Sequence, residues 1–261
     1  GRIVPIPTTP EEGYHYADRE RIEPLITPRT RAIMISNPGN PTGVVLTPEQ
    51  MRMIADIAKE HGLFLIADEV YREFIYGDEP LQSMGAYLDE NLILIDSVSK
   101  RFSACGARIG VLITRNQTLQ QHALKICQAR LSVATLDQVA SAALYQVDPH
   151  YFDSVRAEYR RRRDTIYRKL QEIPGVVCKE PQGAFYVMAK LPVPDTDAFQ
   201  TWLLTEFQDN HETIMYAPGG GFFSDPALGK TQVRFAYVLN CQNLERAMDL
   251  LKLGIAQYNG R

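Results

Sequence analysis

Cysteine is scarce in this 261-residue chain, and its four residues, Cys105, Cys127, Cys178 and Cys241, are scattered without a CxxC spacing. That excludes a zinc-ribbon or disulfide framework and points to buried thiols in a reducing, cytoplasmic setting. No apolar run approaches the roughly 20 residues that cross a membrane. Neither sign of charge dominates: 28 Lys+Arg against 31 Asp+Glu leave a net charge of -3. That balance argues against nucleic acid or an anionic membrane as the main partner. Repeats and low-complexity tracts are missing too. The first residues, Gly1-Arg2-Ile3-Val4-Pro5, hold neither a signal peptide nor an initiator Met, so a processed or partial chain is expected. What is present is ordinary for a globular protein, 45% hydrophobic and 23% charged, with enough length for one large core or two modest ones.

Apolar runs alternate with helical patterns. Ala32–Ser36 reads as a buried strand running into the stiff turn Asn37-Pro38-Gly39-Asn40-Pro41-Thr42-Gly43. Thr47-Pro48-Glu49-Gln50 is a helix start with a capping-box pattern, and Gly62 stops that helix. Leu63–Ala67, Leu92–Ile95 and Ile109–Thr114 are the next strands. Strands alternating with helices predict an α/β core with a mostly parallel sheet flanked by helices. Such sheets carry their chemistry at the carboxyl ends of the strands, where Asn40, Asp68 and Ser97 fall. Helices are expected at 116–129, 134–146 and 150–172, the last holding Arg156 and the block Arg160–Arg163. A basic patch and a solvated helix face both fit that block, and the acidic balance elsewhere favours the second. Strands at Val176–Cys178, Ala184–Met188 and Gln232–Val238, with helices near 195–208 and 241–257, predict a smaller α+β domain. The expected division is 1–150 for the large domain, 151–172 for a connecting helix and 173–261 for the small C-terminal domain.

Four stretches carry chemistry, each with a plain alternative. Ser97-Val98-Ser99-Lys100 sets a lysine after a strand end, where its surroundings can favour the nucleophilic amine, with two hydroxyls able to meet a phosphate. A lone Lys is usually a surface residue. The pattern also fits the Ser-x-x-Lys of serine acyl-enzymes, yet Ser-Asp-Asn and Lys-Thr-Gly are absent downstream, Lys230-Thr231-Gln232 being nearest. Asp68 at a strand end can bind a metal, cap a helix or hold a protonated ring nitrogen. Arg108 offers a planar fork suited to phosphate, or an ordinary salt bridge. Arg234, inside Val233-Arg234-Phe235-Ala236-Tyr237, either meets an anion or alternates out to solvent.

In their order and spacing, Asn37–Gly43, Asp68-Glu69-Val70-Tyr71, Ser97–Lys100 with Arg108, and Arg234 resemble the class I/II aminotransferases of pyridoxal-phosphate (PLP) fold type I. The resemblance covers nearly the whole chain. It implies that fold, with a smaller α+β C-terminal domain, and pyridoxal 5'-phosphate as cofactor. It implies that Lys100 is the Schiff-base lysine, that Asp68 partners the pyridine nitrogen, and that Asn40 and Tyr71 donate to the cofactor's phenolic oxygen. Ser97, Ser99 and Arg108 become phosphate ligands, and Arg234 clamps the substrate carboxylate. It further implies transfer of an amino group from an L-amino acid, aspartate or aromatic, to a 2-oxo acid in a homodimer, with Lys100 as the general base that moves the α-proton. Neither a metal nor nucleic acid nor a membrane is expected as a partner.

The chain departs from the family at Ala107, where an aromatic is frequent, and at Cys105, where Thr is common. Gly1–Pro5 resembles a segment shortly before the Asn-Pro turn, so the family's N-terminal arm, helix-borne phosphate loop and ring-stacking aromatic lie outside the chain. The expectation is weak PLP binding and no turnover by this chain alone. Two rivals share the fold: a PLP-sensing effector domain of a transcription regulator, and a lyase or decarboxylase. The loop Tyr216–Phe222 is similar to the family's small-domain loop at the substrate mouth.

Overall fold

The computed structural model describes residues 1–77, 82–87 and 89–261. The chain divides into two compact units, one formed by Tyr16–Gly39 and Val45–Arg156, the other by Gly1–His15, Asn40–Val44 and Ala157–Arg261.

In the first unit, a short helix α1 (Arg19–Ile22) precedes β1 (Ala32–Ser36), α2 (Pro48–Glu60), β2 (Phe64–Asp68) and β3 (Leu92–Ser97). A one-turn helix α3 (Val98–Arg101) follows, then β4 (Gly110–Ile113), α4 (Gln117–Ala129), α5 (Thr135–Leu144) and the start of α6 (His150–Gln171). The sheet order is β1-β2-β3-β4. The first three strands are parallel, whereas β4 runs antiparallel to β3. The sheet is therefore mixed but mostly parallel, as anticipated. The antiparallel strand follows from local geometry: only a short link after α3 precedes β4, too little chain for a crossover helix.

Thr47 caps α2 with both capping-box bonds made: Gln50 N–H donates to Thr47 Oγ1 at 3.3 Å and Thr47 N–H to Gln50 Oε1 at 2.9 Å. Met51, Ile54, Ile57 and Ala58 form the buried face of α2. Asn37 is fully buried. It anchors the turn to this helix, for its Oδ1 accepts from Leu46 N–H at 2.9 Å and its Nδ2 approaches Met51 Sδ at 3.4 Å.

In the second unit, the remainder of α6 leads to β5 (Tyr186–Lys190), α7 (Thr196–Thr205), β6 (Ala217–Pro218), β7 (Gln232–Ala236) and α8 (Cys241–Asn259). Its antiparallel sheet has the order β5-β7-β6. Val176–Cys178, expected as a strand, contributes a single bridge from Val177 to Lys190. Phe199, Trp202, Phe207 and Tyr258 stack into an aromatic core between α7 and α8. Tyr14 ties the N-terminal segment to this sheet through a buried 2.7 Å bond from its hydroxyl to Gln232 Oε1.

Candidate functional site

The proposed catalytic residues fall into two groups, one per unit. In the first unit, the strand register places Ser36 beside Asp68 and Asp68 beside Ile95. β1 and β2 therefore end level, with Asp68 closing β2, and β3 runs two residues further to close at Ser97. The Ser97 hydroxyl accepts from Ser99 N–H at 3.3 Å and so caps α3. Lys100, half-buried, lies in that single turn, and the buried Tyr71 in the turn after β2.

Asp68 is half-buried, and its Oδ1 accepts from Val70 N–H at 3.1 Å. No cation pairs with it among the described residues. Burial raises its pKa, the Val70 N–H opposes that shift, and the nearby Asp96 charge adds to it. Arg108 sits in the left-handed region at φ 55°, between α3 and β4. Its guanidinium is exposed, donates to Cys105 O at 3.0 Å and, among the described residues, faces no carboxylate. An open cavity of about 320 Å³ is lined by Ser97, Val98, Gly110, Gln138, Ser141 and Tyr145, among others.

The second unit holds Asn40 and Arg234. Arg234 Nη1 donates to Asn40 Oδ1 at 3.0 Å. Its guanidinium lies over Tyr186 and Phe222, 4.5 and 4.8 Å from the ring centroids. Its Nε is buried without an acceptor among the described residues. A buried, unsatisfied charged donor costs free energy unless an anion completes it. Arg234 therefore does not simply alternate out to solvent. The stacking partners Tyr186 and Phe222 carry no signal in the sequence that would single them out.

The basic block of α6 is consumed internally. Arg161 and Arg162 pair with Glu158, and Arg163 pairs with Asp164 and Glu180. Arg161 lies on the solvated side of this paired face, whereas Arg163 is buried. Among the described residues no group of His, Cys, Asp or Glu is placed to hold a metal, and no helix is long and apolar enough to cross a membrane. Burial pushes the Cys178 thiol up to about 11, consistent with a packing role.

The donor set suits pyridoxal phosphate. Two hydroxyls and a guanidinium that faces no carboxylate among the described residues match a phosphate, a half-buried carboxylate without a counter-ion among them matches a protonated ring nitrogen, and the Arg234 Nε, without an acceptor among them, matches a carboxylate. The α/β fold and these residues define a chain of the PLP-dependent transferase type. The family model for "Aminotransferase class I and II" matches residues 1–249, and the chain belongs to that family. It is 30% identical to an aspartate aminotransferase of Pyrococcus horikoshii over 93% of its own length and 61% of the relative's. It is 32% identical to aromatic-amino-acid aminotransferase 2 of Thermococcus litoralis over 97% of this chain and 64% of that protein. An aromatic aminotransferase structure from Pyrococcus horikoshii superposes with a TM-score of 0.86 at 29% identity, covering 98% of this chain and 68% of that one. The chain thus spans a little under two thirds of the curated relatives' length. Class I/II aminotransferases are PLP-dependent.

Proposed function

We propose that the protein to which this chain belongs is a PLP-dependent aminotransferase. It moves an amino group from an L-amino acid to a 2-oxo acid, with aspartate or an aromatic amino acid favoured, as among its relatives. The observation that carries this reading is the grouping of Asp68, Ser97 and Lys100 at the carboxyl end of one sheet, with Arg108 beyond, facing no carboxylate among the described residues. When bound, pyridoxal phosphate supplies an aldehyde that condenses with amines and a ring that draws electrons from the substrate α-carbon.

The residues do the remainder. Ser97, Ser99 and Arg108 hold the phosphate. Asp68 keeps the ring nitrogen protonated, and among the described residues no other cation competes for it. Tyr71 and Asn40 donate to the phenolic oxygen. Lys100 would anchor the cofactor covalently and, as the free amine, would move the proton from the substrate α-carbon to the cofactor's C4′. Arg234 orients the substrate carboxylate through its buried Nε. Tyr16–Gly39 and Val45–Arg156 act as part of the large cofactor domain and 173–261 as the small domain, with 151–172 as connecting helix; Gly1–His15 and Asn40–Val44, expected in the large domain, group instead with the second unit. The working form is a cytoplasmic homodimer. The 261-residue chain alone binds the cofactor weakly and does not turn over, since about a third of the relatives' length has no counterpart in it.

Lys100→Ala tests the core of this reading in the full-length protein. Turnover in a 2-oxo-acid screen should vanish, along with borohydride-fixed cofactor on the peptide that contains residue 100. Turnover retained by that variant would sink the assignment.

A further inference from the structure

The side chains flanking the cofactor residues in the first unit form a charged network that the proposed chemistry does not use. Asp96, at the end of β3, is buried. Its Oδ1 accepts from Ser97 N–H at 2.7 Å, and its Oδ2 accepts from Arg101 Nη2 at 2.6 Å. The side chain of Arg101 is only 11% exposed. Its Nε stands 3.5 Å from Glu73 Oε1 without a hydrogen bond of good geometry. Glu73 in turn faces Arg156 Nη1 at 3.6 Å. The Arg101 guanidinium lies 5.8 Å from the Tyr145 ring centroid, and Tyr145 packs edge-on against Phe102 at 5.0 Å. Aromatic rings thus border the network on one side. Arginine forks held this way by two carboxylates are geometrically specific.

Sequence positions supply the consequence. Arg101 directly follows Lys100, Asp96 directly precedes Ser97, and Glu73 lies two residues after Tyr71. The network therefore bridges two separate turns, each carrying residues assigned to the cofactor. We infer that Arg101 is a positioning residue: with Asp96 and Glu73 it locks the Ser97–Lys100 turn to the Tyr71 turn, so that both present their groups to the cofactor as one body. The cofactor half of this inference rests on the function proposed above; the mechanical coupling does not.

Balance of charge supports the same role. Asp68, Glu69, Glu73 and Asp96 gather around this end of the sheet. Asp96 already works against ionisation of both Asp68 and Glu69. Removing the Arg101 cation would leave Asp96 buried and unpaired beside them, a costly arrangement that the turn would relieve by opening.

Two measurements separate the coupling from the cofactor reading. Hydrogen exchange on wild type, Arg101→Met, Arg101→Lys and Glu73→Gln reports the coupling. In Arg101→Met the amides of 97–104 and 71–76 should exchange roughly tenfold faster together, while β1 and α2 stay unchanged. Arg101→Lys should recover most of the protection. Glu73→Gln, which leaves the Asp96–Arg101 pair intact, should loosen 71–76 and serves if Arg101→Met does not fold. Unchanged exchange in both turns, or a uniform rise across the whole unit, would overturn the coupling. Borohydride trapping of added pyridoxal phosphate, read by peptide mapping, reports the cofactor half. Trapping at Lys100 should be about tenfold slower in Arg101→Met and restored in Arg101→Lys. Equal trapping rates in wild type and Arg101→Met would overturn the positioning role. Absence of Lys100 trapping in the full-length wild-type protein would instead remove the function proposed above, with the coupling still judged by exchange.

Discussion

At the scale of single residues, Asp68 carries the sharpest tension between stability and function. Its folded pKa is raised by burial, so folding disfavours its charged form. A carboxyl with a raised folded pKa contributes stability that is fully present below its unfolded pKa and lost as pH rises through its folded pKa. At pH 7 the ionised Asp68 is therefore a cost to the fold. Asp68→Asn removes that cost and keeps an oxygen for the Val70 N–H. The variant should melt no lower than wild type at pH 7, with the difference closing near pH 3 to 4, where an ordinary Asp is about half protonated. Under the proposed function, transamination by the full-length protein should fall about 100-fold or more, as expected when a preorganised charge is removed. Parallel melting curves and turnover at several pH values check both halves; a variant that lost stability at pH 7 would contradict the sign. Asp68 was legible in the sequence because an apolar run ends abruptly in Asp-Glu. Arg101 was not: beside Lys100 it reads as one more surface cation, and only packing against Asp96 and Glu73 reveals otherwise. Arg234 was half legible, since a strand pattern cannot tell an outward arginine from one held between two rings.

At the scale of elements, the turn after β1 shows how backbone geometry places a side chain. Gly43 has φ +73°, and a Cβ there would lie 2.6 Å from Pro181 Cβ and 3.0 Å from Tyr186 O. Its carbonyl accepts from both Gln182 N–H at 2.8 Å and Gly183 N–H at 2.9 Å. Gly43 thus fixes the end of the short segment whose other end, Asn40, meets Arg234. Gly43→Ala should cost about 2–3 kcal/mol, combining left-handed strain with overpacking. Urea unfolding with an unchanged slope is the check, and loss of less than about 0.5 kcal/mol would mean the turn relaxes freely. Most elements were visible in the sequence through their periods: the capping box of α2, the buried runs of β1 to β3, and the three helices after residue 116. Two features were not. An antiparallel β4 looks the same as a parallel strand in an apolar run, and direction is set only by how little chain precedes it. Val176–Cys178 has strand-like residues but pairs at one position, because pairing depends on the partner strand and not on propensity.

At the scale of the whole chain, apolar surface is distributed unevenly. No residue of α4 is buried, and in α5 only Ser141 is. All four residues of β4 are exposed. Leu136 and Val139 on α5 are 84% and 66% exposed, and Leu124 and Ile126 on α4 are 58% and 70% exposed. β4 and α5 flank the same open cavity, which both line. Amphipathic helices form because an apolar face finds cover, and exposed apolar patches beyond a few hundred Å² mark association surfaces or aggregation hazards. The chain in isolation should therefore self-associate through this part of the first unit. Sedimentation velocity from micromolar to tens of micromolar concentration should show growing association. Paired Leu136→Glu and Val139→Glu substitutions should reduce it without lowering the melting temperature, because side chains this exposed contribute little to the folded core. A wild-type chain that stays monomeric throughout, or a variant that associates as strongly as wild type, would show that α5 is not the surface through which copies meet.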